Sequence, residues 1–389
     1  MKRVRILHII TRLILGGAQE TAMLTAEKLD SSKYEVELLA GPQTGSEGSL
    51  IEEVHKRNVS LTILPELVRE VNPIKDLIAL LKLYRFIKIG NYRLVHTHSS
   101  KAGILGRLAA RLAGVPVIVH TVHGWSFHDF MPPITRRMYI ILEKLCAPFT
   151  NAYIIVTQRD LPKGISAGIS QPDKYHLIRS AIPLDEFNPE QHHRHTIREE
   201  LGVPQGAPVV GNVGRFSLQK NPLEWVKVAG IINRALPECY FLLVGDGPLR
   251  SQVESAIREE GLSGKIILTG LRRDAARMMA AMDVFLLTSL WEGLPRVVPQ
   301  AMLMELPLVA TSIDGTAEAI QEGITGYLAS PGDLNALAEK CLLLLRNPGK
   351  RKEMGFAARQ YALKEFDLQR MISQTEQLYD QLLSVQTGK

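Results

Sequence analysis

Apolar runs of three to seven residues recur along the first half of the chain, at 4–10, 36–40, 61–64, 94–96, 117–120 and 153–156. They are mostly apolar rather than strictly alternating, which suits strands buried on both faces of a parallel sheet. Between them, at 18–29, 50–57, 74–89, 102–113 and 134–147, apolar positions return every three to four residues, the period of a helix lying on a sheet. Strand and helix in strict alternation predict a doubly wound parallel α/β sheet. The rhythm stops at 180–189, SAIPLDEFNP, and restarts at Pro208. Strands are then expected from 209 into a glycine turn and at 241–244, 266–269, 284–287 and 308–310, with a short one after Gly326. Helical stretches at 334–346, 350–366 and 367–384 finish the chain. The organisation read from this is a domain over 1–187, a second over 188–366 and a closing helix over 367–389.

A length of 389 residues agrees with two domains. Net charge is +6 and uneven: residues 1–187 hold 24 Lys+Arg against 17 Asp+Glu, and residues 188–389 hold 22 against 23. The basic first half is open to an anionic partner, such as a phosphorylated acceptor or an acidic membrane face. It equally fits a solvated surface. No block of like charge and no basic motif interleaved with aromatics marks a nucleic-acid binder. The helical stretch 72–89 mixes four basic residues with aliphatics, so it either lies on a membrane or packs on its sheet. Cys146, Cys239 and Cys341 are odd in number and sit in apolar segments, which reads as reduced core thiols and a cytoplasmic chain. The basic, apolar start MKRVRILHII is broken by Arg12 and lacks a cleavage site, so it reads as the first strand rather than a signal peptide. No apolar stretch reaches the ~18 residues of a membrane span.

The candidate chemistry lies where strands turn into helices. Around 289–311 a strand, the turn Glu292-Gly293-Leu294-Pro295, a helix to about 305 and a second strand form one unit. Pro295 is expected in the first helical turn, where free N–H groups near Gly293 and Leu294 attract phosphate. Glu292 would repel phosphate and is better read as an acceptor for sugar hydroxyls. Arg215 and Lys220, five apart across the glycine turn after 213, suit a diphosphate. Gly16-Gly17 opens the first helix, without the dinucleotide fingerprint G-x-G-x-x-G. His123-Gly124 follows the strand at 117–120. His96 and His98 point the same way from one strand, but no third metal ligand is near them in sequence. There is no D-x-D to hold a divalent ion on a diphosphate, so no metal is expected.

Taken in order, the glycine pair, the H-G turn, the proline-bounded hinge, G-R-x4-K and E-G-L-P resemble the family 4 glycosyltransferases, retaining enzymes of the GT-B fold. The resemblance spans nearly the whole chain. It implies two Rossmann-like doubly wound domains facing an interdomain cleft, with the last helix crossing back to the first domain. It implies transfer of a sugar from a nucleotide-sugar, UDP-linked in preference, to a glycan or lipid-linked glycan hydroxyl, in cell-surface polysaccharide assembly. Arg215 and Lys220 would grip the diphosphate, Glu292 the sugar hydroxyls and Leu271 the neighbourhood of the base. His123 would support the reacting sugar, and Gly16 and Gly17 would let backbone approach the phosphates. The family's second glutamate, a ribose ligand, is replaced here by Gln300. The expected place is cytoplasmic, with peripheral contact on the inner face of an acidic membrane. A sugar-nucleotide 2-epimerase of the same fold and a non-catalytic sugar-nucleotide binder are the alternatives.

Overall fold

The computed structural model describes residues 3–43 and 48–387. They form two units, Met1–Ser180 with Gln369–Lys389, and Ala181–Leu368. The first crossing thus falls at 180/181, against 187/188 in the sequence reading. Ala181 and Ile182 are already tied into the second unit: Arg296 donates to the Ala181 carbonyl at 2.7 Å, and the Ile182 N–H donates to Phe366 at 3.1 Å.

The first unit holds a seven-stranded parallel sheet. Its strands are β1 (Val4–Ile10), β2 (Tyr34–Ala40), β3 (Ser60–Ile63), β4 (Leu94–His98), β5 (Val117–Val122), β6 (Ala152–Ile155) and β7 (Tyr175–Leu177). They lie in the order β3-β2-β1-β4-β5-β6-β7. β7, Tyr-His-Leu, and the helix Asp160–Ser166 are too short to show a period and are absent from the sequence reading. The helix Pro73–Gly90 starts cleanly: the Asn72 side chain accepts from the Lys75 N–H, and Pro73 occupies the first turn. It buries Ala79, Leu83 and Ile87 against Leu7, Ile9, Val95 and Ile118. Helices Ser100–Ala113 and Pro133–Cys146 are bolted together by a buried ion pair, Arg107 to Glu143 at 2.7 Å. The final helix, Leu368–Thr387, is fastened to the same unit. Glu376 accepts from the Asp30 N–H at 2.7 Å, and Asp380 accepts from the Tyr34 hydroxyl.

The second unit holds six parallel strands: β8 (Val209–Val213), β9 (Tyr240–Val244), β10 (Ile266–Leu268), β11 (Val284–Leu287), β12 (Leu308–Thr311) and β13 (Gly326–Ala329). Their order is β10-β9-β8-β11-β12-β13. Counted within the unit this is 3-2-1-4-5-6, the Rossmann order, with its reversal between β8 and β11. The helix Pro222–Ala235 locks that junction. Its Trp225, buried edge-on against Phe241, donates through Nε1 to the Leu286 carbonyl at 3.0 Å. The three cysteines are buried and unbridged, and burial pushes the Cys146 thiol up to about 11. Among the described residues, no helix is long and apolar enough to cross a membrane.

Candidate active site

In a doubly wound sheet the ligand crevice opens at the carboxyl ends of the strands where the order reverses. In the second unit that is the end of β8 beside the end of β11. After β8 the chain turns through Gly214, whose N–H donates to Val244 at 2.9 Å. Gly245 faces it with φ +137°, and a Cβ there would stand 2.0 Å from the Gly214 carbonyl oxygen. Only glycine lets these two turns close together. The turn ends at Asn221, with φ +49°, just before Pro222 opens the helix. Asn and Gly are the residues that accept this left-handed backbone, which accounts for an asparagine after Lys220.

The loop after β11 is clamped from both sides. The Leu290 N–H donates to the Gln219 carbonyl at 2.8 Å. The Gln219 side-chain amide donates to the Trp291 carbonyl at 3.0 Å and to Glu292 Oε2 at 3.3 Å. From the other side, Thr311 donates to the Ser289 carbonyl at 2.7 Å and Asp314 accepts from the Glu292 N–H at 3.2 Å. Asp314 itself has φ +32°, a strained backbone for a non-glycine residue of the kind that gathers at functional sites. So fixed, Glu292 Oε1 forms an ion pair with Lys220 Nζ. The pair is sheltered, with side-chain exposures of 6% for Glu292 and 20% for Lys220. The sequence reading gave Lys220 to phosphate and Glu292 to hydroxyls; the structure joins the two. Arg215 stands exposed on the same turn as Lys220.

Pro295 lies two residues ahead of the first helical residue rather than in the first turn. The helix runs Val297–Leu303, and the Pro295 carbonyl accepts from Val298 at 2.9 Å. The first helical turn holds Pro299 instead, which equally needs no N–H there. Gln300 follows it, half-buried, and its side chain makes no hydrogen bond to the described residues. Gly293 is half-buried and Leu294 buried. Leu271 is exposed just beyond β10, after Gly270 with φ +71°. Two hydroxyls escape any motif search. Ser289 and Thr316 are fully buried, and neither side-chain oxygen has a partner among the described residues. A buried hydroxyl without a partner is costly, and here both lie beside the ends of β11 and β12. Serine and threonine carry no spacing signal, so only the fold reveals them.

In the first unit, Gly16 caps the helix Gly17–Lys28 in extended backbone, φ −177°. The nearest atoms to a Cβ there belong to the side chains of Gln19 and Ile14, so the backbone itself does not demand glycine. His123 follows β5, ahead of Gly124 at φ +113°. It is not isolated, since its Nε2 lies 3.1 Å from His98 Nδ1. His96 and His98 do share a face, with ring centroids 4.2 Å apart. The third histidine invisible to spacing is His8, which β1 brings directly opposite His96 in register. The ligand atoms of His8, His96 and His98 lie within 4.8 Å of one another. Three imidazoles suit a transition metal by ligand type. All six of their ring nitrogens, however, are engaged in hydrogen bonds to one another, to His123, to Tyr379 and to Thr121. Burial pulls the His8 pKa down to about 3 and those of His96 and His98 well below the ordinary histidine range. All three are therefore neutral at neutral pH.

Residues 15–186 match the family model described as Glycosyltransferase Family 4, and residues 193–361 the model described as Glycosyl transferases group 1. The UDP-Gal:alpha-D-GlcNAc-diphosphoundecaprenol alpha-1,3-galactosyltransferase of Escherichia coli is 32% identical over 337 residues, 86% of each chain. Putative glycosyltransferase EpsD of Bacillus subtilis is 26% identical over 312 residues, 79% of this chain and 81% of its own. Among solved structures, Anabaena HepE in complex with UDP and glucose superposes with a TM-score of 0.83 at 21% identity, covering 97% of this chain and all of its own. Sucrose-phosphate synthase from Thermosynechococcus elongatus gives 0.83 at 21% identity over 98% of this chain and all of its own. At that identity the structural likeness speaks for the fold.

Proposed function

The chain belongs to the family 4 glycosyltransferases, with two Rossmann-like domains of the GT-B type, and on that premise we propose that it moves a hexosyl group from a UDP-sugar to a hydroxyl of a lipid-linked glycan, with retention at the anomeric carbon. The observation that carries this is the 32% identity, over 86% of both chains, to a galactosyltransferase named for a diphosphoundecaprenol-linked acceptor.

In this reading the bond from the anomeric carbon to the diphosphate breaks, and the bond to the acceptor oxygen forms on the same face. The acceptor's proton passes to the departing diphosphate. Lys220 and Arg215 stabilise the negative charge that grows there, which is where fixed cations contribute most. Glu292 has two tasks. Oε1 holds the Lys220 ammonium in place, and Oε2, which among the described residues accepts only from Gln219 at 3.3 Å, accepts from a sugar hydroxyl. The amides near Gly293 and Leu294 approach the phosphates, Gln300 the ribose and Leu271 the base. Ser289 and Thr316 supply hydroxyls that find their partners on the donor. As the family resemblance implies, we assign His123 to the transferred sugar and Gly16 and Gly17 to the phosphates. The two cations do the work a metal would otherwise do, so the reaction proceeds without one.

A lipid-linked acceptor calls for a way onto the membrane. The helix Pro133–Cys146 leaves Ile134, Met138, Ile141 and Leu145 exposed along one stripe, beside Arg136, Arg137 and Lys144. The helix Pro73–Gly90 leaves Ile74, Leu77, Ile78 and Leu81 exposed, beside Lys75, Lys82 and Arg85. The helix Ser100–Ala113 touches both. Apolar stripes flanked by basic residues are the pattern of a face that rests on anionic lipid. The donor assignment is tested by thermal shift against UDP-, GDP- and ADP-hexoses. A clear rise in Tm with UDP-sugars alone supports it, and a rise confined to another nucleotide rejects it.

A further inference from the structure

The strand β12 ends at Thr311, and the chain then enters the short helix Asp314–Ala319. Ile313 is still extended, with φ −128° and ψ 148°, and the next residue, Asp314, takes φ +32°. A Cβ makes such backbone costly. Asn58, Asn91 and Glu305 also have positive φ, but each sits at the end of a helix, where a left-handed residue is an ordinary ending. Asp314 stands at a helix start, where no such ending is needed. Its side chain has a specific partner there: Oδ2 accepts from the Glu292 N–H at 3.2 Å, across 22 positions of chain. Close to that bond in sequence, the Thr311 hydroxyl donates to the Ser289 carbonyl at 2.7 Å. The end of β12 and the turn after it thus fix the main chain of the β11 loop at two points. One of the two is the residue whose carboxylate pairs with Lys220.

We propose that Asp314 is a positioning residue for sugar transfer: it holds a strained backbone so that its carboxylate can fix the main chain at Glu292, and through Glu292 the Lys220 ammonium. This rests on the reading that Glu292 and Lys220 meet the donor. Position 314 faces two separate requirements. The backbone conformation is met most easily by glycine, which has no Cβ. The bond to the Glu292 N–H needs a short side chain with an acceptor oxygen. Glycine meets only the first requirement, and alanine meets neither. Asparagine supplies the oxygen and, like aspartate, is one of the few side chains that enter left-handed backbone. An aspartate here therefore gives up backbone ease for a grip on Glu292. A misplacement of about 1 Å near a reacting centre costs roughly a hundredfold in rate, so a loosened Glu292 should show in turnover more than in folding.

The test is the series Asp314→Gly, Asp314→Ala and Asp314→Asn, each measured for unfolding in urea and for steady-state kinetics. Asp314→Ala should unfold at the lowest urea concentration, because it keeps the strain and loses the bond, and Asp314→Gly should unfold later than Asp314→Ala. Turnover should follow the acceptor oxygen instead. It should fall roughly 10-fold or more in both Asp314→Gly and Asp314→Ala, and stay within about twofold of wild type in Asp314→Asn. Most of the loss should lie in kcat rather than donor KM, since Lys220 acts on charge that grows as the diphosphate leaves. In a Glu292→Ala background, Asp314→Gly should cost little more, because the group it positions is already gone. Wild-type kcat in folded Asp314→Gly beside an impaired Glu292→Ala overturns the proposal and leaves Glu292 at the donor. A loss in Asp314→Asn as large as in Asp314→Gly overturns it too. Full turnover in Glu292→Ala would instead reject the place of Glu292 at the donor, and the role of Asp314 with it.

Discussion

Lys220 and Glu292, 72 positions apart in the chain, form an ion pair where the ends of β8 and β11 come together. Each belongs to a different sequence motif, and the pair turns two motifs into one device. The carboxylate holds the ammonium at the ends of these two strands.

Lys220→Ala should therefore lower kcat by roughly a hundredfold or more, the usual effect of deleting a group that stabilises transition-state charge. Arg215→Ala should behave alike. Because the partners are coupled, Lys220→Ala combined with Glu292→Gln should cost less than the two single losses added together. Steady-state rates of the four proteins check this. Near-normal turnover in both Lys220→Ala and Arg215→Ala would remove the cations from the mechanism.

Chelation should leave the rate unchanged. The diphosphate is neutralised by side chains in this account, and the chain has no D-x-D to present a divalent ion. The check is turnover in EDTA before and after adding magnesium or manganese. Loss of activity that either ion restores would overturn the cationic clamp.

Gln300→Glu should tighten UDP-sugar binding about fivefold, or roughly 1 kcal/mol, because a charged acceptor bonds a ribose hydroxyl more strongly than an amide oxygen does. Turnover should change little, since the ribose contact is the same in ground and transition states. Calorimetric titration of both proteins decides it. Weaker binding in the glutamate variant would take Gln300 away from the ribose.

Replacing Ile134 and Ile141 together by serine should weaken binding to vesicles containing anionic lipid and leave the rate on a water-soluble acceptor unchanged. Both side chains are exposed, so their loss should not disturb the core. Binding of the wild type should also fall as salt rises from 0.05 to about 0.5 M, where charge screening becomes severe. Equal vesicle binding by the variant would remove this face from membrane contact.

The alternation of apolar runs placed most strands within two residues, since a buried parallel strand leaves a continuous apolar signature. It failed for β7, three residues long, where no period can develop. The strand-end motifs were legible because their backbone demands are local: glycine at 245 and asparagine at 221 answer specific φ values. What stayed hidden is what the fold alone brings together. His8 joins His96 only through the register of β1 on β4. Tyr379 arrives on a helix 283 positions beyond His96. The partnerless hydroxyls of Ser289 and Thr316 are noticeable only once their burial is known.

The central claim is retaining transfer from a UDP-sugar to a lipid-linked glycan. It is tested most directly by incubating the protein with a panel of UDP-hexoses and a polyprenyl-diphosphate-linked N-acetylglucosamine. The product's mass and the NMR coupling of its new anomeric proton are then read. The account predicts a product one hexose heavier, with the same anomeric configuration as the donor, formed by the wild type and lost in Lys220→Ala. A product of inverted configuration, or donor binding with no transfer to this acceptor, would contradict it.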